Sequence, residues 1–285
     1  MLEPDFLNEL SQKLDSKIIS HKPLSGGDIN EVYTLESENE KWVIKVNNAQ
    51  RFPGMFEKEA AGLQALREPH IIDVPKVITS GEHQNQSYLL LEHKATGTKK
   101  QEFWTIFGRQ LAKLHQQSAA KFGFEEDNYI GSLPQYNEAE DNAAEFYINQ
   151  RLKPQFALAL ENGYKFTEID RFYDKIRHLI PQEKPALIHG DLWSGNFLVN
   201  ASGDPCLIDP ATAFAPREMD IGLMHLFGGF NPSLFDAYNS EFPLAHGWPE
   251  RIKLWQLYYV LVHVNLFGGG YFASAEAILR HYLNS

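Results

Sequence analysis

A single cysteine, Cys206, stands in 285 residues. That excludes an intrachain disulfide, a cysteine-based zinc site and a dithiol redox pair. Positive charge is also scarce. There are 26 Lys and Arg against 37 Asp and Glu, a formal net charge of −11. A protein that grips a phosphate backbone needs the opposite balance, so nucleic acid is not an expected partner. No apolar run approaches the ~20 residues of a membrane span. The longest, 257–267, is interrupted by His263 and Asn265, and no membrane association is expected. The first residues, Met1, Leu2, Glu3, Pro4 and Asp5, offer neither the basic start nor the apolar core of a secretory signal, and a cytoplasmic protein is expected. The eleven histidines contain no H-x-x-x-H or H-E-x-x-H pairing, which leaves zinc hydrolase chemistry unsupported. Internal repeats and low-complexity tracts are missing too. Phe227-Gly228-Gly229 and Phe267-Gly268-Gly269 look alike, but two three-residue matches read as turns.

What is present is a core-forming composition, 43% hydrophobic and 13% aromatic. It suffices for a core without staples and for one large domain or two modest ones. The texture changes along the chain. Residues 31–35, 41–46 and 87–92 are short runs rich in Val, Ile, Leu, Tyr and Trp between Gly and Asn punctuation, and read as strands. One helix, 56–67, interrupts them. Beyond residue 100 helical periodicity dominates: Phe107, Leu111 and Leu114 follow the i, i+4, i+7 rule within 103–116. Residues 145–161 and 252–266 also read as helices, the first kinked at Pro154. Short apolar strands are expected at 186–188, 197–199 and 206–208. The change falls near 93–100, a Lys- and Gly-containing connector. A small strand-rich lobe, a hinge and a larger helical lobe follow, and clefts between lobes are common ligand sites.

The strongest motif is His189-Gly190-Asp191-Leu192-Trp193-Ser194-Gly195-Asn196, set between two expected strands. Asp209 closes the next apolar strand. This pattern suits phosphoryl transfer, which needs a carboxylate to orient a hydroxyl and accept its proton. It also needs oxygen ligands for Mg²⁺, and an Asp and an Asn beside the nucleotide phosphates suffice. The alternative is a turn in which Asp191 and Asn196 bond local backbone.

A nucleotide grip lies upstream. Alternation puts Trp42, Ile44 and Val46 on one face of a strand and Lys41, Val43 and Lys45 on the other. In the following helix Glu59, Leu63 and Leu66 share a face. A carboxylate in an apolar stripe needs a partner, because an unpaired buried charge is expensive. Lys45 is that expected partner, and the pair can reach the phosphates. Gly26 and Gly27, in Ser25-Gly26-Gly27-Asp28, could pass backbone amides close to phosphate. That loop is neither G-x-G-x-x-G nor a Walker A sequence, and a plain turn explains it as well.

With these motifs the chain resembles phosphotransferases of the protein-kinase-like fold, aminoglycoside and choline kinases among them, and most closely the fructosamine kinase (ketosamine-3-kinase) family. The stretches that carry this are 24–30, 56–66, 127–137 (DNYIGSLPQYN), 189–196 (HGDLWSGN), 209–220 (DPATAFAPREMD) and 226–230 (LFGGF). The resemblance implies a bilobal α+β fold, with an antiparallel-sheet lobe over residues 1–93 that binds nucleotide and a mainly helical lobe over 94–285 that carries catalysis and substrate binding. It implies phosphorylation by ATP, with Mg²⁺, of the 3-hydroxyl of a ketosamine such as a fructosamine or ribulosamine, free or on protein. Phosphorylation destabilises the adduct and leads to deglycation. Carried over by position, Asp191 resembles the proton acceptor, Asn196 and Asp209 the metal ligands, and Lys45 and Glu59 the phosphate anchor. Glu92, His93 and Lys94 resemble the hinge that offers backbone groups to adenine. Asp220 resembles the brace of the catalytic loop. The chain departs from the family at Ala139 and Ala143, where members often carry Trp, and at Asp28, where some carry a redox-active Cys.

Further residues have two readings each. Trp193 stacks on the sugar or wedges the loop. His189 relays protons or supports the loop, the second being favoured. Arg217 and Glu218 face the substrate or form a structural ion pair. The alternatives to a ketosamine kinase are another small-molecule kinase of this fold, acting on an aminoglycoside, choline or a sugar, and a non-catalytic nucleotide-binding protein.

Overall fold

The computed structural model describes residues 2–24 and 29–284. Its first half is built on a five-stranded antiparallel sheet of β1 (Ser20–Pro23), β2 (Glu31–Glu36), β3 (Lys41–Asn48), β4 (Val77–His83) and β5 (Gln86–Glu92), in the order β1-β2-β3-β5-β4. The pleat sorts the side chains of the central strands as alternation requires. Trp42, Ile44, Val46, Tyr88 and Leu90 face one side, where helix α1 (Pro4–Lys13) lays Phe6 and Leu10 on them. Val43, Leu89 and Leu91 face the other side and meet Phe56, Leu63 and Leu66 of helix α2 (Met55–Arg67). Lys45 shares that second face and is buried. The edge strands β1 and β4 carry no such alternation: their residues are half-buried or exposed along most of their length. That is why only the inner strands announce themselves in the sequence.

The rest of the chain is mainly helical. Helix α3 (Phe103–His115) packs on the second sheet-side core. A small hairpin, β6 (Asn128–Ile130) and β7 (Leu133–Gln135), follows. The stretch expected as one kinked helix is a continuous helical rod with three parts: α4 (Ala143–Phe146), a π-helical segment (Tyr147–Leu152) and α5 (Lys153–Glu161). Pro154 has no N–H to give the carbonyl four residues back, and its ring crowds it. The wider π turn just before Pro154 accommodates this, and Arg151 Nη1 donates to the Gln150 carbonyl at 3.1 Å instead. Helix α6 (Ile169–Leu179) leads to four short strands, β8 (Ala186–Ile188), β9 (Phe197–Val199), β10 (Pro205–Leu207) and β11 (Ala213–Ala215), paired β8 with β11 and β9 with β10. Helices α7 (Glu218–Phe227), α8 (Pro232–Glu241), α9 (Trp248–Phe267) and α10 (Gly270–Asn284) complete the chain. Consecutive residues 257–262 of α9 are all buried, so this helix is the pillar of the larger core. Among the described residues no helix is long and apolar enough to cross a membrane. Cys206 sits in β10, fully buried, and burial pushes its thiol pKa up, which makes it an inert core group.

The connector after β5 is tied to the β9–β10 hairpin. Gly97 N donates to the Val199 carbonyl at 3.0 Å, and Lys94 Nζ reaches Asp73 at 2.9 Å. Asp73 in turn takes Leu207 N on its carbonyl at 2.8 Å. The sheet and the β9–β10 hairpin are therefore held together by direct bonds.

Candidate active site

The strand β8 delivers His189 and Gly190 into a buried turn whose shape is fixed from below. Asp220, on the first turns of α7, takes His189 N on Oδ2 and Gly190 N on Oδ1, both at 2.8 Å. His115 Nε2 adds a third contact at 3.2 Å. Burial alone would raise the Asp220 pKa, but the His115 hydrogen bond, the His115 and His189 rings and the bond from His189 N together outweigh it and hold the carboxyl below its ordinary value. The expected brace is thus present, and His115 is a satisfied core histidine. His189 supports the loop as well: its Nε2 donates to the Ile208 carbonyl at 2.9 Å and its Nδ1 accepts Asp191 N at 3.2 Å. Burial lowers its pKa, so it stays neutral near pH 7.

Gly190 is required by geometry. Its φ is +81°, and a Cβ there would lie 2.0 Å from the Ala211 carbonyl oxygen. Its own carbonyl accepts the Tyr259 hydroxyl at 2.9 Å. Gly190→Ala is therefore expected to cost about 2–3 kcal/mol or more in urea unfolding and to collapse kcat with it. Near-normal values of both would show that the turn tolerates a side chain.

Beyond the turn, Asp191, Asn196, Asp209 and Lys45 converge on one cavity of about 670 Å³. Asn196 Nδ2 donates to the Asp191 carbonyl at 2.8 Å and to Asp191 Oδ2 at 3.0 Å. Lys45 Nζ sits between two carboxylates, Glu59 Oε1 at 2.6 Å and Asp209 Oδ1 at 2.8 Å. Burial works against the Lys45 charge, but Asp209 and Glu59 outweigh it and hold its pKa above the ordinary value. Glu59 is held the other way: burial, and the nearby Asp209, push its pKa up against the pull of Lys45. Asp209 adopts a left-handed φ of +55°, a strained conformation that places its carboxylate at the turn. The Asp191 carboxyl is pushed up to about 7, by burial first and then by the Asp209 and Asp220 charges, against the Asn196 hydrogen bond. A carboxylate poised near neutrality is suited to accept a proton.

Trp193 wedges the loop and faces the cavity as well. Its ring lines the cavity, and it also covers Gly195, where a Cβ would fall 2.3 Å from the indole. Gly26 and Gly27 lie outside the described residues. Glu92, His93 and Lys94 do not line this cavity. The Glu92 side chain accepts Lys76 N at 3.0 Å and pairs with Lys94 at 3.0 Å.

Arg217 and Glu218 require a correction: neither faces the cavity. Arg217 is buried and pairs with Glu183 at 2.6 Å while donating to the Phe242 and Pro243 carbonyls at 2.8 and 2.7 Å. Glu218 is buried beneath α9, where both its oxygens are taken by Arg251, at 2.6 and 2.9 Å, and one by Trp255 Nε1 at 2.7 Å. The structural ion pair describes both. Ala139 and Ala143 are likewise not in the cavity wall, and Ala143 is buried in the larger core.

Sequence reasoning missed the polar clamp beneath the cavity floor. Asn128 Nδ2 donates to the Thr212 carbonyl at 2.8 Å, and Gln135 Nε2 to the Ala211 carbonyl at 3.0 Å. Tyr258 OH donates to Gln135 Oε1 at 2.9 Å. This ties the β6–β7 hairpin to the stretch after Asp209. The hairpin's polar residues fall within the 127–137 stretch, but only contact reveals their work.

The fold and the site define a phosphotransferase of the protein-kinase-like class. An aminoglycoside phosphotransferase crystallised with ADP and hygromycin B superposes with a TM-score of 0.61 at 15% identity, over 96% of this chain and 97% of that one. At that identity the likeness is one of fold. A protein of Haemophilus somnus assigned as a fructosamine-3-kinase superposes at 0.88 with 28% identity, covering 97% and 96% of the two chains. One from Thermobifida fusca, assigned likewise, superposes at 0.87 with 32% identity over 98% of both. A protein of Synechocystis sp. assigned as a ketoamine kinase is 39% identical over 94% of this chain and 91% of its own. The chloroplastic protein-ribulosamine 3-kinase of Arabidopsis thaliana is 35% identical over 91% and 81%. The fructosamine kinase family model matches residues 4–285. The chain belongs to the fructosamine kinase family, and it is a phosphotransferase acting on a hydroxyl.

Proposed function

We propose that this kinase phosphorylates the 3-hydroxyl of a ketosamine, a fructosamine or ribulosamine adduct, and so promotes deglycation in the cytoplasm. The observation that carries the reading is the convergence of Asp191, Asn196, Asp209 and Lys45 on one cavity. Asp191 accepts the proton of the acceptor hydroxyl as that oxygen attacks the terminal phosphate. Lys45, already fixed by Glu59 at 2.6 Å, turns from Asp209 to the phosphate oxygens and neutralises charge on the transferring group. Asn196 holds Asp191 in place and prevents the carboxylate from swinging away. The sheet lobe, 1–93, supplies the Lys45–Glu59 anchor, and 94–285 supplies the acceptor side. Backbone groups of residues 92–94, which lie outside the lining of that cavity, would receive adenine.

Asn196 and Asp209 are the residues that would hold Mg²⁺. Their chemistry fits: the Asn196 amide nitrogen is committed to Asp191 and to the Asp209 carbonyl, which leaves its carbonyl oxygen as a donor beside the Asp209 carboxylate. Among the described residues no cluster of three or more His, Cys, Asp or Glu could hold a metal alone. An ion that keeps waters and takes phosphate oxygens needs no such cluster. When bound, Mg²⁺ supplies charge neutralisation at the phosphates.

The test is phosphorus NMR of the products formed with ATP from a ribulosamine, a fructosamine and an aminoglycoside offered in parallel. A 3-phosphate on a ketosamine is expected. Product on the aminoglycoside alone would select the other small-molecule kinase reading, and nucleotide binding without any product would select the non-catalytic one.

A further inference from the structure

Among the described residues ten large hydrophobic side chains are exposed, and four of them line this one cavity: Trp193 (41%), Phe227 (43%), Phe267 (61%) and Tyr271 (38%). Single exposed apolar residues need no explanation, but a contiguous set beside a site does. These are contiguous through His263. Ring centroids step from Trp193 to Phe227 at 6.5 Å, from Phe227 to His263 at 5.2 Å, and from His263 to Phe267 and Tyr271 at 5.5 and 5.0 Å. The wall thus runs from the catalytic loop to the start of α10.

The two Phe-Gly-Gly matches build this wall. Phe227 ends α7 and Phe267 ends α9, each followed by a glycine with φ of +68° or +65°. Such a left-handed residue stops a helix abruptly. Each helix therefore presents its last side chain, unburied by any further turn, to the same opening. At Gly268 a side chain is doubly excluded, since a Cβ would lie 2.3 Å from the Tyr164 hydroxyl.

Charge is segregated from Phe227, Phe267 and Tyr271. The charged groups lining the cavity are Lys45, Arg51, Lys58, Glu59, Asp191 and Asp209, none of them on α7, α9 or α10. The wall's imidazole, His263, has its Nδ1 bonded to the Tyr259 carbonyl at 2.7 Å. In a ketosamine the amine nitrogen is bonded to C1, and only C1 and C2 lie between it and the carbon bearing the 3-hydroxyl. With that hydroxyl at Asp191, the nitrogen and its substituent lie only a few bonds away, within the cavity that Trp193 lines.

We propose that Phe227, Phe267 and Tyr271 form an acceptor subsite for the substituent on the ketoamine nitrogen, and that this kinase prefers adducts of bulky apolar amines over adducts of small or acidic ones. The inference rests on the ketosamine reading above. The protonated nitrogen gains from the ring faces, and an apolar substituent gains by covering them. An acidic substituent finds no cation on the wall.

The experiment compares ribulosamines made on phenylalaninamide and on glycinamide. Steady-state kinetics with ATP are paired with calorimetric binding in its absence. The phenylalaninamide adduct is expected to win by about tenfold or more, in both KM and Kd. A Phe267→Ser, Tyr271→Ser double variant, and separately Phe227→Ser, should shrink that preference to about twofold, through KM and Kd of the bulky adduct rather than kcat. These side chains are exposed, and a thermal melt identifies any variant that fails to fold. Equal calorimetric affinity of the wild type for both adducts overturns the subsite whatever the turnover. So does an equal loss on both adducts in the folded variants. Discriminating binding with no turnover of either adduct sustains the subsite and overturns the ketosamine kinase reading instead.

Discussion

Asp191→Asn should lower kcat by about 10²–10⁴-fold, the usual worth of a positioned general base, while leaving ATP affinity within a few-fold. The substitution keeps the size of the side chain and removes its capacity to accept a proton. Near-normal turnover would end the assignment of Asp191. The same variant makes a second, independent statement through stability. The Asp191 carboxyl is pushed up to about 7 in the folded protein, against about 3.9 in an unfolded chain. A raised carboxyl pKa means that the folded state disfavours the charge. The cost is absent below pH ~4, grows between there and pH ~7, and is fully present above. Removing the charge should therefore stabilise the protein at pH 8, and the gain should fade as pH falls through 7 toward 4. Urea unfolding of both proteins at pH 8 and pH 5 reads this directly. A gain that is larger at pH 5 would contradict the burial of Asp191. Activity and stability are opposed at this one side chain, as expected where a charge is kept in a poorly solvated site for its chemistry.

The second large effect is expected at Glu218. Its carboxylate takes two bonds from Arg251 and one from Trp255, all within 2.9 Å and out of water. Glu218→Ala leaves a buried guanidinium without its counter-charge, and breaking such a pair from one side costs about 3–5 kcal/mol. That is a large share of the stability of an ordinary domain. The loss should appear as a fall in the urea midpoint. Turnover per folded molecule should change little, because the pair lies between α7 and α9 and not in the cavity wall. A variant of normal stability with a raised acceptor KM would return Glu218 to the substrate.

The contrast between Asp191 and Glu218 shows what each level of description carries. His189 to Asn196 is a local cluster whose spacing sets its own geometry: a turn between two short strands brings Asp191 and Asn196 within 3.0 Å. Lys45 and Glu59 were legible for a related reason. Strand period 2 and helix period 3.6 assign each to an inward face, and two inward opposite charges on adjacent elements must meet. Arg217 and Glu218 carry no such signal. They follow the Asp209 turn in sequence and read as well toward substrate as away from it. Their partners, Glu183 and Arg251, lie more than thirty residues away in either direction, and a single sequence states nothing about that pairing. The kink expected at Pro154 was placed by the missing N–H. That the rod absorbs it as a π segment before the proline depends on how Arg151 and its neighbours pack.

The two Phe-Gly-Gly segments mark the same boundary most plainly. The sequence alone determined that each is a turn, because glycine after a helical run supplies the left-handed conformation that ends it. Nothing local says that two turns forty residues apart open on one cavity. Only the packing of α7 against α9, and of both against the catalytic loop, decided that Phe227 and Phe267 stand at one mouth beside Trp193. Periodicity and turn chemistry are properties of neighbours along the chain, and they fix which face each side chain presents. The choice of what that face meets is made by burial of the whole core, and it becomes visible only once the helices are assembled.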